Sequence, residues 1–338
     1  MAQRIGWRRT GSRRRFRYVD ADGREITDEA KLERIDALAI PPAWKDVWIS
    51  PSARAKLQAT GVDAAGRTQY LYHPAYRAKQ EQAKYDRLIR FAERLPELRL
   101  AMSEHMELEG LPFEKVAAIA VRLINLGWFR VGSDRYAKTS RTFGITTLRK
   151  NHVSVRGSRI TFRYRGKHSI MIHSAIVDSD LSAAVKELLA LPGARLFQFE
   201  TGDGTRCNLD QRRLNAYIRE HLGDEFTAKD FRTWGGTLIA AVELAEHDLP
   251  ETEAEAKKRI AAVMRRVGEK LGNTPAVARS SYVSPAVVEQ YLDGRTVEDF
   301  RPRHLRVVRA HETGLDAEEL ATLSLLRSWR IRASRAAA

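Results

Sequence analysis

The chain has 338 residues, 43% of them hydrophobic, so it can bury a large core, and its length points to two or three domains. Lys and Arg number 58 against 43 Asp and Glu, a net charge of +15 with a pI near 10.0, which calls for a polyanionic partner, either nucleic acid or an anionic membrane surface. No apolar run approaches the ~18 residues of a spanning helix, the first residues carry no apolar signal segment, and the single cysteine, Cys207, excludes an internal disulfide or a cysteine-based zinc site, so a reducing cytoplasm is expected.

Residues 1–17 hold Arg4, Arg8, Arg9, Arg13, Arg14, Arg15 and Arg17 interleaved with Trp7 and Phe16. The run Phe16 to Val19 into Asp20-Ala21-Asp22-Gly23 reads as a strand entering a hairpin with an Asp-Gly turn. Thr27 to Leu38 reads as a helix with Thr27 as its cap and Leu32, Ile35 and Leu38 on one face, stopped by Pro41-Pro42. Trp44 to Ile49, Leu57 to Thr60 and Arg67 to Tyr72 read as strands of a small β-rich module. On its last strand, Tyr70 and Tyr72 share a face near Arg67. Pattern alone leaves two readings open, a pair that lies in a DNA groove and a pair that covers a sheet surface.

Ala75 to Leu95 reads as a connecting helix, and the domain boundary is expected near its start, giving domains 1–80 and 81–338. Helical spacing of Val116, Ile119, Leu123 and Leu126 from Pro112 predicts a helix that Gly127 stops. Gly144 to Leu148, Val153 to Val155 and Ile160 to Tyr164 read as three short strands of an antiparallel meander, with Ser169 to Ile172 a further strand beyond the Gly166-Lys167 tip. Gly166-Lys167 lacks the glycine spacing and the Ser/Thr of a phosphate-binding Walker motif. Helices are then expected over Ser179–Leu191, Asn208–Leu222, Phe231–Glu246, Thr252–Leu271, from Pro285 to Leu292, and over Asp316–Trp329, with Ala333–Ala338 frayed.

Near the end of this series, Thr274-Pro275 is a helix start, because the threonine oxygen can cap free amides and proline at the first position has no N–H to lose. The short helix carries Tyr282 on or just past its last turn. Small residues Ala276, Ala278, Ser280 and Ser281 leave room for a bulky partner to approach.

Four stretches carry a resemblance. Lys229-Asp230-Phe231-Arg232-Thr233-Trp234-Gly235-Gly236-Thr237, read as preceding a helix, resembles the arginine box of the type IB DNA topoisomerases and tyrosine recombinases. Phe129-Arg130-Val131-Gly132 resembles the first arginine box of that superfamily, and Gly272-Asn273-Thr274-Pro275 followed by Tyr282 resembles its last two elements. Gly66 to Tyr72 is similar to the segment with which poxvirus-type enzymes contact the major groove.

The resemblance implies an α+β protein: a small β-rich N-terminal DNA-binding domain (1–80) and a larger, mainly α-helical catalytic domain (81–338) with a short antiparallel β meander. It implies Tyr282 as nucleophile, Arg130 and Arg232 as clamps on the non-bridging phosphate oxygens, and Lys167 as the acid that protonates the leaving oxygen. Most relatives have a histidine where this chain has Asn273, which can donate a hydrogen bond but carries no proton or charge. Arg67, Gln69, Tyr70, Tyr72 and Tyr136 fall at DNA-contacting positions. The implied partner is double-stranded DNA, met by a monomer in the cytoplasm (nucleoid), with no metal and no cofactor. The implied activity is relaxation of supercoils by transient single-strand cleavage. A tyrosine site-specific recombinase and a non-catalytic DNA-binding protein are the alternatives. The β-rich N-terminal module stands against the first, and the intact residue set against the second.

Overall fold

The computed structural model describes residues 5–12, 15–301 and 314–336, so Arg4, Arg13, Arg14 and the last two residues of the expected frayed tail lie outside the described residues. The chain forms two compact units, Met1–Tyr85 and Asp86–Ala338. The architecture is α+β, as the sequence implies.

In the first unit, β1 (Trp7–Ser12), β2 (Arg15–Val19), β3 (Lys45–Ile49), β4 (Leu57–Val62) and β5 (Thr68–Tyr72) form one antiparallel sheet in the order β2-β1-β3-β4-β5. Helix α1 (Glu29–Ala37) covers one face through a core of Trp7, Ile26, Ile35, Val47, Ile49 and Ala59. Asp28, not Thr27, caps α1, its carboxylate accepting the Lys31 amide at 2.9 Å. The expected Asp-Gly turn after β2 forms, but it closes only a single bridge, Val19 to Glu25, while the full hairpin partner of β2 is β1. Strand β5 lies at the sheet edge, with Leu71 turned to the core and Thr68, Tyr70 and Tyr72 outward.

The connecting helix is longer than read. Helix α2 runs Pro74–Met106 and passes through Pro96, because Leu95, Leu98 and Met102 continue its buried stripe and that packing outweighs the one hydrogen bond proline removes. In the second unit α3 (Phe113–Gly127) is buried along nearly all its length from Val116 to Ile124. It ends one residue later than expected: Gly127 is its last helical residue, and Trp128 takes the left-handed conformation at φ 50°. After α4 (Asp134–Thr139), residues 145–147 form a 3₁₀ turn and not the expected strand. Their amides go to the carbonyls of Arg130, Val131 and Gly144 instead of a neighbouring strand.

The meander is β6 (Val153–Arg156), β7 (Arg159–Arg165) and β8 (Met171–Val177), so its third strand runs further than Ile172. Helix α5 (Ser179–Ala190) follows, then a hairpin unread in the sequence, β9 (Gln198–Glu200) with β10 (Arg206–Asn208), and α6 (Gln211–Leu222). Helix α7 (Ala228–Ala245) begins before the Phe231 expected, so the box from Lys229 to Thr237 lies inside the helix and does not precede it. Asp230 fixes that start by accepting both the Thr227 amide and hydroxyl while pairing with Arg87 at 2.8 Å. Helices α8 (Glu253–Leu271), α9 (Pro275–Ser281), α10 (Pro285–Leu292) and α11 (Ala317–Ala336) complete the unit. The buried Glu319 ties α11 to the core, accepting from Arg99 and from the Trp234 indole at 3.1 Å. No helix among the described residues is long and apolar enough to cross a membrane.

Candidate active site

Four of the five expected catalytic side chains meet at one place, where the ends of α3, α8 and α9 converge on the first turns of α7. Gly272 ends α8 in the left-handed conformation at φ 60°, turning the chain so that the Asn273 amide bonds back to the Gly268 carbonyl at 2.8 Å. A side chain on Gly268 would strike the Asn273 carbonyl at 2.8 Å, so this turn requires glycine there. Thr274 caps α9 by accepting from the Val277 amide at 3.3 Å, with Pro275 at the first helical position, as the sequence predicts. Tyr282 is the residue that terminates α9, its amide bonded to Ala278 at 3.0 Å.

Helix α7 receives Tyr282 on glycine. A Cβ at Gly236 would lie 2.7 Å from the Tyr282 carbonyl oxygen, and one at Gly235 would lie 2.3 Å from the Trp128 indole nitrogen. The adjacent Thr237 hydroxyl donates to the Tyr282 carbonyl at 3.2 Å and accepts the Ser284 amide at 3.1 Å, fixing the chain on both sides of the tyrosine.

Both arginines are held by carbonyl and amide oxygens, with no carboxylate paired to either among the described residues. Arg232, buried, donates to the carbonyls of Trp128 and of Leu271, the latter at 2.7 Å, and its guanidinium lies 5.1 Å from the centroid of the Tyr282 ring. Arg130 donates from one nitrogen to the Gly272 carbonyl at 2.8 Å and to Asn273 Oδ1 at 2.6 Å. Asn273 Nδ2 and Arg232 Nε are left as buried donors without a protein acceptor. Unpaired buried donors are costly, and an anionic oxygen in this cleft would satisfy them.

Electrostatics follow from the same contacts. Burial and the neighbouring Arg232 push the Arg130 guanidinium down to about 10, still cationic at neutral pH. Burial alone would raise the Tyr282 phenol, but Arg232 above its ring, with Arg130 and Lys229 behind it, outweighs that and leaves it below the ordinary tyrosine value. The cleft, about 370 Å³, is lined by Arg130, Arg232, Tyr164, Gly166, Ile172 and Gly272, among others.

Comparison with known proteins identifies the family. Residues 73–298 match the family described as the catalytic core of eukaryotic DNA topoisomerase I, and residues 15–63 match the N-terminal domain of bacterial DNA topoisomerase IB. The chain belongs to the type IB DNA topoisomerases. Among its relatives, the DNA topoisomerase 1B of Acanthamoeba polyphaga mimivirus is 33% identical over 284 residues, covering 82% of this chain and 84% of the relative. The DNA topoisomerase I of monkeypox virus and the DNA topoisomerase 1B of vaccinia virus (strain Copenhagen) are each 22% identical over 281 residues, covering 79% of this chain and 83% of theirs. As a type IB DNA topoisomerase, the chain is a DNA-binding isomerase.

Of the remaining expected site residues of this topoisomerase, Lys167 and Tyr136 belong to the same unit as that cluster, and Arg67, Gln69, Tyr70 and Tyr72 to the first unit. Lys167 lies exposed in the β7–β8 turn, whose base, Gly166, lines the cleft; its ammonium pairs with no described residue. Tyr136 is exposed on α4, a helix held at its start by the Asp134–Arg195 ion pair. In the first unit Tyr70 and Tyr72 are exposed and stacked, with ring centroids 6.2 Å apart, so they share a face as read. Arg67 and Gln69 converge on one carboxylate: Asp63 accepts from Arg67 Nε and from Gln69 Nε2, each at 2.8 Å, and its pKa falls to about 2, driven first by the Arg67 amide and side chain. Sequence reasoning passed over Trp128, Gly235, Gly236 and Thr237 as parts of the site. Tandem glycines inside a helix were the available signal, since glycine there is unfavourable unless something must approach closely.

Proposed function

We propose that this topoisomerase relaxes supercoiled duplex DNA by cleaving and resealing one strand through Tyr282, without ATP or a metal ion. The observation that carries the reading is the stacking of Arg232 over the Tyr282 ring, with Arg130 and Asn273 joined beside it. The Tyr282 oxygen, ionised with its proton released to solvent, attacks the scissile phosphorus, a 3′-phosphotyrosyl bond forms, the bond to the 5′ oxygen breaks, and Lys167 gives that oxygen a proton. Arg130 and Arg232 present planar cationic forks to the non-bridging oxygens, and Asn273 Nδ2 adds a neutral donor. The hairpin turn has to carry Lys167 toward the leaving oxygen when DNA is bound. Rotation of the free end followed by the reverse reaction reseals the strand. One phosphodiester is exchanged for another, so bond energy is conserved and no nucleotide hydrolysis is needed.

Residues 1–80 form the DNA-binding domain in this reading and 81–338 the catalytic domain, the protein acting as a monomer on the nucleoid. Tyr70 and Tyr72 lie against the DNA groove, the Arg67–Gln69 pair held by Asp63 reads base edges or phosphates, and Tyr136 approaches the duplex from α4. The mimivirus and vaccinia relatives, both named DNA topoisomerase 1B, support the same activity. The test is supercoiled plasmid incubated with the protein in EDTA and no ATP. The wild type should relax it and form a covalent adduct, and Tyr282→Phe should bind DNA equally well but do neither. Relaxation by the purified Phe variant would remove Tyr282 from the mechanism.

A further inference from the structure

The cleft beside Arg130 and Arg232 is lined by a tyrosine other than Tyr282. On β7, the alternation of Ile160, Phe162 and Tyr164 turns all three inward, and the Phe162 ring packs 4.9 Å from Phe129. Tyr164 is only 4% exposed, its ring 6.4 Å from Phe129 and 6.1 Å from His152. Phenylalanine would make each of these packing contacts equally well. What tyrosine adds is a hydroxyl, which makes no hydrogen bond among the described residues and is not one of the fully enclosed unpaired atoms, so it is left open to a partner in the cleft that the residue lines. The residue lines the same cleft as Arg130 and Arg232, and both guanidinium groups act on it electrostatically.

We infer that the Tyr164 hydroxyl is a further catalytic group, a neutral hydrogen-bond donor to a non-bridging oxygen of the phosphodiester held between Arg130 and Arg232. The inference rests on the reading of Tyr282 as nucleophile. The two tyrosines share a cationic site, but their surroundings push them apart. Burial raises the Tyr164 phenol well above its usual range despite both arginines, whereas the arginines prevail at Tyr282. Tyr164 therefore keeps its proton and can donate a hydrogen bond, while Tyr282 is the one able to lose its own. No proton leaves Tyr164 during the reaction. Its hydrogen bond shortens as charge builds on the equatorial oxygens, and it complements Asn273 Nδ2, the other uncharged donor.

Tyr164→Phe removes one oxygen and leaves the packing intact. On ordinary DNA its single-turnover cleavage should fall about 10- to 100-fold, with duplex affinity and melting temperature unchanged. Replacing either non-bridging oxygen of the scissile phosphate by methyl then locates the contact. The ratio of wild-type to variant rates should collapse toward one on one methylphosphonate diastereomer and persist on the other. A purely packing role would leave the same ratio on both, which overturns the inference, as would cleavage of ordinary DNA within twofold of wild type. Mapping the covalent adduct separates the two readings. An adduct on any residue other than Tyr282 overturns the nucleophile assignment, whereas an adduct on Tyr282 with an unimpaired Tyr164→Phe overturns only the role given to Tyr164.

Discussion

Gly236→Ala tests whether Tyr282 is positioned by helix α7 rather than by its own short helix. The added Cβ would lie 2.7 Å from the Tyr282 carbonyl oxygen and 3.0 Å from its Cβ, where ordinary contact begins near 3.4 Å. The obstructing atoms belong to backbone and to the root of a side chain, so no rotamer change relieves them. Tyr282 must retreat by about 0.7 Å, with Thr237 and Ser284 dragged along through their shared hydroxyl. A misplacement on the order of 1 Å costs about 100-fold in a positioned reaction, so single-turnover cleavage should fall roughly 10- to 100-fold. Stability should change less. Alanine gains about 1 kcal/mol of helix propensity over glycine, partly offsetting an overpacking cost of about 1–3 kcal/mol, so a net loss of at most about 2 kcal/mol is expected. The assay is a rapid-quench time course on a suicide duplex, read beside a thermal melt and a binding isotherm. Full cleavage rate in a folded Gly236→Ala variant would refute the argument that this glycine sets the position of the nucleophile.

Asn273→Ala should slow cleavage and religation by about one to three orders of magnitude, the range for one transition-state donor, while Asn273→His retains substantial activity. Asn273→Asp keeps the oxygen that Arg130 grips but places a carboxylate where Nδ2 was, so it should be worse than alanine in the same rapid-quench assay; an Asp variant faster than the Ala variant contradicts a donor role. Lys167→Ala should cleave ordinary DNA far more slowly than wild type yet approach wild type on a substrate with sulfur at the bridging 5′ position, because a thiolate departs without a proton. Equal defects on both substrates would assign the lysine to DNA positioning. The cleavage rate should rise with pH as the Tyr282 phenol ionises, with its inflection below that of a free tyrosine, since its pKa is lowered in the fold. Arg232→Gln removes the main lowering cause and should move that inflection upward; an inflection at the same pH in the variant would mean that another group is being titrated.

Local signals carried the parts of the site that depend on local chemistry. Thr274-Pro275 specifies a helix start whatever surrounds it, and the structure has that cap and a tyrosine at the helix end. The α+β division was equally legible, because alternation at Tyr70 to Tyr72 and helical spacing from Val116 to Leu126 are short-range patterns. Where long-range contacts decide, the reading went astray. The arginine box read as the approach to a helix, yet it lies inside α7, where Gly235 and Gly236 answer to Trp128 and Tyr282, distant in sequence. Ile145-Thr146-Thr147 has the composition of a strand, but a Cβ on Gly144 would sit 2.5 Å from the Arg130 carbonyl, and the close passage of Gly132 past Gly144 turns the segment into 3₁₀ geometry. Trp128 took a left-handed cap that Gly127 seemed built for, since its carbonyl must reach Arg232 and its indole must cover Gly235.

The choice of partners for the two arginines fits the phosphate-binding role proposed for them. Elsewhere in the same unit, buried or half-buried arginines are neutralised by acids: Arg99 by Glu319, Arg122 by Asp178, Arg87 by Asp230. In the cleft, Arg130 and Arg232 are held by the oxygens of Gly272, Asn273, Trp128 and Leu271, which orient a guanidinium without cancelling its charge. An acid at either position would hold the fork equally well but compete with the phosphate for it. The consequence is two like charges kept close together and partly dehydrated, a costly arrangement in the free protein. In the proposed reaction a phosphodiester relieves that cost on entry, and the charge that builds on its oxygens in the transition state relieves it further. On that proposal the two charges repel each other until the phosphate arrives, and the difference between empty and occupied states is the source of selectivity for the reacting phosphate.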